Sequence, residues 1–573
     1  MNFADSDPAL RPLLDRLLSP ADRERVEPAL HELGELAAGE LDRLAATADA
    51  HPPRLRQYGP DGQRIDEVDH HPAYDQMAQL AFARFGLAAM SHRPGVLGWP
   101  APAPHVVKFG LSYVFVQAEF GLACPLSMTD SAARILRMFA PDEFAAEIAA
   151  LTASDMEDLA TGAMLMTEKQ GGTDVGRTAT EATDHGTHWT LRGHKWFASN
   201  VSADIILTLA RVPGQGEGTR GLGMFLVPRL LPDGSRNSYR IDRLKDKLGS
   251  RSMASGEVTL DDAFAVPVGE LTNGFRQMAE MLNVSRLSNA MRAAALMRRA
   301  VLESVEHTRR RPVFGKALFD QPLMRATLLP MITDAEAALG LVLESAARLD
   351  DSDAGDQTAR SLIRVLTPLA KYTVCKQARG VTGEAMEIRG GNGYIEDWVN
   401  PRLLRDAHLG SIWEGSSNVI ALDVLRCMRR ESAHQAVAET YASRLHDMAD
   451  PGVRPFAEVL LAHWKSMLDR GEHLLSTSPA EQEAGIGVYA DALARTTMAS
   501  LLLEQAAHEI ANGLGHRKLL VAGTYLHRLL RPASALPTAA LEQLDRIADG
   551  GDVPPEAARA VLDLLEGGAH VHG

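Results

Sequence analysis

A chain of 573 residues is too long for one ordinary hydrophobic core, so two or more domains are expected. Its composition is globular, 45% hydrophobic and 23% charged, and its formal net charge of -15 opposes nonspecific binding to nucleic acid or anionic membrane, which needs a basic field. Three widely spaced cysteines, Cys124, Cys375 and Cys427, support neither a disulfide framework nor a zinc motif, and no metal is expected.

The N-terminal MNFADSDPALRPLL lacks the basic-then-apolar order of a signal peptide, and no apolar run reads as long enough to span a membrane. A cytoplasmic location without membrane association is expected. Residues 1–160 read as helices, with leucine and alanine at helical spacing over 10–48: Leu13, Leu14, Leu17, Leu18, then Leu30, Leu33, Leu36, Leu41 and Leu44. The Pro- and Gly-bearing stretch 51–64 reads as a loop, and helical patterns resume over 72–90, 106–121, 130–139 and 141–152.

Near 161 the texture changes to short alternating runs separated by turn signals: THWTLRG, DIILTLARV, GMFLVPRLL, YRIDRL and GEVTLDD. These predict an antiparallel sheet or small barrel over 161–268. Gly216, Gly218 and Gly221 have GxGxxG spacing, but a strand pattern follows where the dinucleotide fingerprint requires a helix, so a glycine-rich hairpin connection is the better reading.

From 269 to 430 long helices return, at 288–308, 321–349, 357–387 and 417–430, as in a bundle. Residues 431–573 add a helical appendix, with helix ends expected at 451–455, 471–487, 532–537 and 549–555 and fraying after Gly567. The expected class is α+β, mainly α: an N-terminal helical domain (1–160), a central β-domain (161–268), a C-terminal helical bundle (269–430) and the appendix (431–573).

Five segments carry chemistry. In 164–176, MLMTEKQGGTDVG, hydroxyls and close-approaching glycine backbone suit phosphates or a flat heterocycle with polar edges; a plain turn would look the same. In 193–200, GHKWFASN, an aromatic face beside a hydroxyl suits a flavin, and a barrel core would hold the same pair. Arg311 and Lys316 in RRRPVFGKALFDQ, 309–321, can hold a pyrophosphate, or form a solvated basic loop. EIRGGNGY, 387–394, is a helix end closed by glycines, where a ligand can approach the backbone.

The fifth segment is SIWEGSSNVIALDVL, 411–425. Glu414 stands between Trp413 and the small residues Gly415, Ser416 and Ser417, just ahead of a helix that Ser416 or Ser417 would cap. Apolar walls would strip its carboxylate of water and raise its pKa towards the range of a general base. Read alone, an ordinary glutamate near a helix N-terminus accounts for it as well.

In this order the five segments resemble the acyl-CoA dehydrogenase family of flavoproteins, over roughly 80–430. EKQGG, KDKLGSRSMAS at 245–255, SIWEG and RQYGPDGQRIDEVDHHPAYD at 56–75 are similar to its AidB-like, alkylation-response branch. The resemblance implies FAD as cofactor. Met166, Thr167, Gly172 and Thr173 would contact the flavin ring and ribityl chain, and Phe197 and Ser199 would border the isoalloxazine. Arg311, Phe314 and Gln321, with Glu387, Gly390 and Gly391, would reach the adenine and pyrophosphate, often across a subunit boundary of a homodimer or homotetramer. Ser416 and Asn418 would lie near the cofactor. Glu414 would be the catalytic base on an acyl-CoA substrate, Arg286 would support the active-site helix and the CoA chain, and an electron-transfer flavoprotein would take the electrons.

The chain departs from the family pattern at Ser285, Asn283, Lys169 and Gln170. The alternative implied by the branch is a DNA-associated stress flavoprotein. Residues 431–573 hold 11 Lys+Arg and 19 Asp+Glu, a balance of 11 − 19 = −8, which opposes phosphate binding over the appendix as a whole. A smaller basic cluster remains: Arg517, Lys518, Arg528 and Arg531, joined by Arg426, Arg429 and Arg430.

Overall fold

The computed structural model describes residues 1–567, so the end expected to fray after Gly567 lies outside the described residues. The chain opens with α1 (Leu10–Leu17), α2 (Pro20–Ala37) and α3 (Glu40–Ala50). The stretch expected to be a loop is instead a hairpin, β1 (Arg54–Tyr58) with β2 (Arg64–Asp69), paired antiparallel. Its residues are mostly charged, so no apolar alternation announced it. It is tied to the strand carrying Ile241 by buried Asp66, whose carboxylate accepts from the Ile241 backbone N–H at 3.0 Å.

Next come α4 (Pro72–Ala78), which runs on as a wider π-helical turn over Gln79–Arg84, then α5 (His105–Val116), α6 (Ala123–Phe139) and α7 (Ala145–Leu151). The β region holds β3 (Gly162–Leu165), β4 (Glu181–Asp184), β5 (Trp189–Ser199), β6 (Ile205–Arg211), β7 (Leu222–Pro228), β8 (Tyr239–Leu244) and β9 (Ser255–Pro267). Successive pairings β6–β7–β9–β5–β4–β6 return to their start, so the sheet closes into a small barrel. It is mixed rather than purely antiparallel, because β3 and β4 both run parallel to β6. The Gly216–Gly221 stretch joins antiparallel β6 and β7, as its lack of a following helix required.

Helices then dominate: α8 (Gly274–Arg310), a short hairpin of β10 (Pro312–Val313) and β11 (Lys316–Ala317), α9 (Pro322–Asp353), α10 (Gln357–Ile388), α11 (Asn400–Gly410) and α12 (Ser417–Glu431). The appendix comprises α13 (Ala433–His446), α14 (Arg454–Ser476), α15 (Pro479–Ala511), α16 (Arg517–Leu530), α17 (Thr538–Glu542), α18 (Leu544–Asp549) and α19 (Pro555–Gly567). The helix break expected over 471–487 falls between Ser476 and Pro479, but Gly471, Gly485 and Gly487 do not make it. They lie inside α14 and α15, whose break is the Ser478 capping box with Glu481. Over an 18-residue window α9 is apolar and long enough to cross a membrane, against the sequence expectation, and 78% of that window is buried in the protein.

The chain divides into two compact units, one of residues 1–35, 105–117 and 289–573, the other of 36–104 and 118–288. Within the first, the appendix is bound to the bundle helix α9 by buried charge. Glu336 on α9 receives Arg517 and Lys518, both buried, and Arg528 donates to Asp334 at 2.8 Å. Glu344 and Glu504 likewise receive Arg16 and Arg444. Of the basic cluster read from the sequence, Arg517 and Lys518 are spent inside the fold, and Arg528 and Arg531 are half-buried. Arg531 donates to the Leu565 carbonyl, Arg429 to Gln482 and Arg426 to Asp423. Arg430 is exposed.

Burial alone would raise the Glu336 carboxyl, but Arg517 and Lys518 outweigh it and hold it at about 2, below its ordinary 4.5. A depressed carboxyl contributes stability that is complete above the unfolded value and lost as pH falls through the folded one. The Glu336 contribution is thus expected to fade between pH 4.5 and about 2. Glu336→Gln, which leaves two buried cations uncompensated, should destabilise this unit by about 3–5 kcal/mol. Helix loss followed by circular dichroism in urea should begin at lower denaturant than in wild type, with the difference shrinking towards pH 2.

Candidate active site

The turn carrying Glu414 links α11 to α12. It lies at φ 56°, and Gly415 follows at φ 98°, two consecutive left-handed residues. For a glutamate that conformation costs on the order of 1–3 kcal/mol and persists only where neighbours enforce it. Side chains from two long helices do so. The Trp413 indole Nε1 donates to Asn289 Oδ1 at 2.8 Å, while Asn289 Nδ2 donates to the Gly410 carbonyl at 2.8 Å. The buried Lys371 ammonium of α10 donates to the Gly415 carbonyl. The Arg292 guanidinium of α8, also buried, lies 4.5 Å from the centre of the Trp413 ring.

Glu414 is half-buried, and its Oε2 is buried. The floor under its turn is polar and cationic rather than the apolar wall expected. Ser416 occupies the N-cap position of α12 as predicted, but its hydroxyl makes no capping bond. Ser416 and Asn418 are exposed beside the turn.

The same unit holds the other predicted pyrophosphate residues. Arg311 and Phe314 sit on the β10–β11 hairpin, whose tip has Phe314 and Gly315 both at positive φ. Phe314 is 95% exposed, and Gln321 Nε2 ties the hairpin by donating to the Val313 carbonyl at 3.0 Å. Glu387 lies at the end of α10, and Gly390 and Gly391 are exposed just beyond it. Arg389, at the end of α10, donates to Glu303 of α8 at 2.6 Å, near the start of the hairpin, and burial, with the charges of Arg389 and Arg311, lowers His307 from its ordinary value.

The second unit holds Met166, Thr167, Gly172, Thr173, Phe197 and Ser199. The Thr167 carbonyl accepts from the Trp196 N–H at 2.8 Å, and the Thr167 methyl packs against Gly172. A bulge decides the aromatic question left open by the sequence. Between Lys195 and Ala198, β5 has one residue more than its partner β9, so Lys195 and Ala198 both face inward while Trp196 and Phe197 leave the ladder. Phe197 is 53% exposed. Arg286, on α8, is half-buried.

Sequence reasoning missed what anchors the 166–173 loop. Lys195, buried inside the barrel, donates to Glu168 Oε1 at 2.8 Å and to the Leu209 carbonyl at 3.1 Å. Glu168 also accepts from Ala179 N at 2.7 Å and from the Thr180 hydroxyl at 2.5 Å. Burial pushes the Glu168 carboxyl up, but the Lys195 charge and these donors hold it below its ordinary value. Asn289, Arg292 and Lys371 were missed too. Their signal was a cation or amide inside an otherwise apolar helical run, as in SNAMRAAALM and TPLAKYTVC.

The residues present fit FAD. An exposed ring beside Thr167, Ser199 and open glycine backbone matches a flat, polar-edged heterocycle. The exposed Arg311 hairpin and the glycine-ended α10 suit a pyrophosphate and an adenosine.

The acyl-CoA dehydrogenase C-terminal domain matches residues 272–429, the acyl-CoA dehydrogenase middle domain 163–263, and the adaptive response protein AidB N-terminal domain 1–158. AidB of Escherichia coli (strain K12) is 36% identical over 446 residues, 75% of this chain and 79% of that protein. Acyl-CoA dehydrogenase family member 11 of Caenorhabditis elegans is 34% identical over 73% of this chain and 69% of its own length. The crystal structure of Caenorhabditis elegans ACDH-11 in complex with C11-CoA superposes with a TM-score of 0.82 at 27% identity, covering 100% of this chain and 96% of that one. The chain belongs to the acyl-CoA dehydrogenase family. Its N-terminal 158 residues place it in the AidB-like branch.

Lys195→Met should leave Glu168 charged and unanswered inside the barrel, at a cost of about 3–5 kcal/mol. The variant should purify with a lower ratio of flavin absorbance to protein than wild type and should melt earlier. An unchanged ratio would show that the Glu168 anchor does not govern the loop.

Proposed function

We propose that the protein is an FAD-dependent acyl-CoA dehydrogenase that introduces a double bond between the α- and β-carbons of an acyl-CoA thioester. The observation that carries the reading is Glu414 on its enforced left-handed turn, within the region matching the family's C-terminal domain. A base on a rigid turn, with one carboxylate oxygen out of solvent, is suited to take a proton from a weakly acidic C–H.

Glu414 would remove the α-proton, and its backbone N–H would donate to the thioester oxygen, where negative charge develops. When bound, FAD supplies the acceptor for the hydride leaving the β-carbon. Met166, Thr167, Gly172, Thr173, Phe197 and Ser199 would hold its ring, and Ser416 and Asn418 would border it. Arg311, Phe314, Gln321, Glu387, Gly390 and Gly391 would hold its adenosine end, and Arg286 would serve the CoA chain. The exposure of Phe314 at 95% and Tyr394 at 80% supports a homo-oligomer, dimer or tetramer, in which a second copy covers them. An electron-transfer flavoprotein would reoxidise the enzyme, in the cytoplasm. The C11-CoA held by ACDH-11 makes acyl chains of that size the first substrates to try.

The test is anaerobic. The FAD-loaded protein should lose its visible flavin absorbance when mixed with an acyl-CoA from a series of short, branched and long chains. Glu414→Gln should retain FAD and bleach slower by about 10²–10⁴-fold. Failure of the wild type to bleach with any member of the series would refute the reading.

The alternative, a DNA-associated stress flavoprotein, draws on the AidB N-terminal match. Against it, Arg517, Lys518 and Arg528 are engaged by Glu336 and Asp334 and are not offered to phosphates. No gel shift of duplex DNA is expected even at low salt; a shift that weakens steeply as salt rises would favour the alternative.

A further inference from the structure

We infer that Asn289 and Lys371, with Arg292 behind them, are positioning residues that clamp the turn of Glu414 from its inner side and set the rate of proton removal. The inference rests on the dehydrogenase reading for its kinetic consequence but not for its structural one.

The turn is gripped on both sides of the carboxylate. On the N-terminal side, Asn289 uses both ends of its amide, accepting from Trp413 Nε1 at 2.8 Å and donating to the Gly410 carbonyl at 2.8 Å. It therefore ties the end of α11 to the residue preceding the base. On the C-terminal side, Lys371 reaches the carbonyl of Gly415, the residue following the base. Arg292, one helical turn beyond Asn289 on α8, covers the Trp413 ring from 4.5 Å and so fixes the indole that Asn289 holds. The space between the two grips is filled. Cys375, one turn after Lys371, lies against Gly410, and its Sγ is 3.8 Å from the Asn289 carbonyl oxygen.

This arrangement answers a specific mechanical need. Glu414 and Gly415 are both left-handed, at φ 56° and 98°, and a glutamate released from its neighbours relaxes to negative φ. Such a relaxation rotates the side chain away from its aimed direction. A Cβ at Gly415 would also approach Ile420 Cδ1 to 3.1 Å, so the turn has little freedom on its outer side. The clamp thus holds the chain on either side of Glu414 and selects the direction in which the carboxylate points.

The test compares wild type with Trp413→Phe, Asn289→Ala, Lys371→Met and Lys371→Arg, all FAD-loaded. Trp413→Phe deletes only the indole donor and keeps a ring for Arg292, so it provides a folded variant if the others fail. Hydrogen exchange of the amides over 411–417 should accelerate in Trp413→Phe, Asn289→Ala and Lys371→Met, with exchange elsewhere and the FAD-to-protein ratio unchanged. Lys371→Arg, which can still donate to the Gly415 carbonyl, should restore protection. In anaerobic mixing, the saturating rate of flavin bleaching should fall about 10–100-fold in the three disruptive variants, while the acyl-CoA concentration giving half that rate stays constant. Unchanged exchange over 411–417, or slower bleaching only in proportion to lost FAD, would overturn the clamp. If wild type never bleaches, the dehydrogenase reading fails and the exchange comparison alone decides the clamp.

Discussion

A positive charge inside a protein has to be answered there, because the solvation it leaves behind is worth several kcal/mol. This chain buries lysine and arginine repeatedly and answers each of the charges described above with a carboxylate, a carbonyl or an aromatic face. Lys195 meets Glu168 inside the barrel. Arg517 and Lys518 meet Glu336 under the appendix. Lys371 meets the Gly415 carbonyl and Arg292 the Trp413 ring. These pairings connect pieces far apart in sequence: the 166–173 loop to the barrel, the appendix to α9, and the turn of Glu414 to α8 and α10. Buried charge is a poor source of net stability but a strict specifier of arrangement, since a misplaced helix would strand an ion.

The appendix shows how this changes a functional reading. On paper, Arg517, Lys518, Arg528 and Arg531 form a basic patch in an otherwise acidic region. In the fold they are the means by which α16 is attached, to α9 through Glu336 and Asp334 and to α19 through the Leu565 carbonyl. Counting charges along a sequence measures a field only when those charges reach solvent. The net balance of −8 over 431–573 then describes the surface better than the local cluster did.

Much of the architecture was legible because periodicity reports burial directly. The long helices and the strands of the barrel follow from apolar spacing, and the Gly216–Gly221 stretch was readable from the strand after it. What escaped was written in polar residues. The strands of the β1–β2 hairpin are mostly charged, and α11 is short and partly charged. The glycines of α14 and α15 looked like helix ends, yet Gly471 lies against Tyr489 and His434, a close packing that a side chain there would obstruct. At the site, the turn of Glu414 was visible as a small-residue break before a helix. Its supports were not, because Asn289 and Lys371 are 125 and 43 residues away and nothing local says where a long helix will lay a given side chain.

The bulge in β5 has one more consequence. Along a strand, inside and outside alternate as odd and even, so a single supernumerary residue acts as a parity switch. Before it, the count that buries Lys195 would also have turned Phe197 inward and Ala198 outward. After it, the small residue goes in and the large ring comes out. Deleting either aromatic would restore plain alternation with Lys195 and Ala198 still inward, so the extra residue is what lets two rings, rather than one, stand off the barrel core.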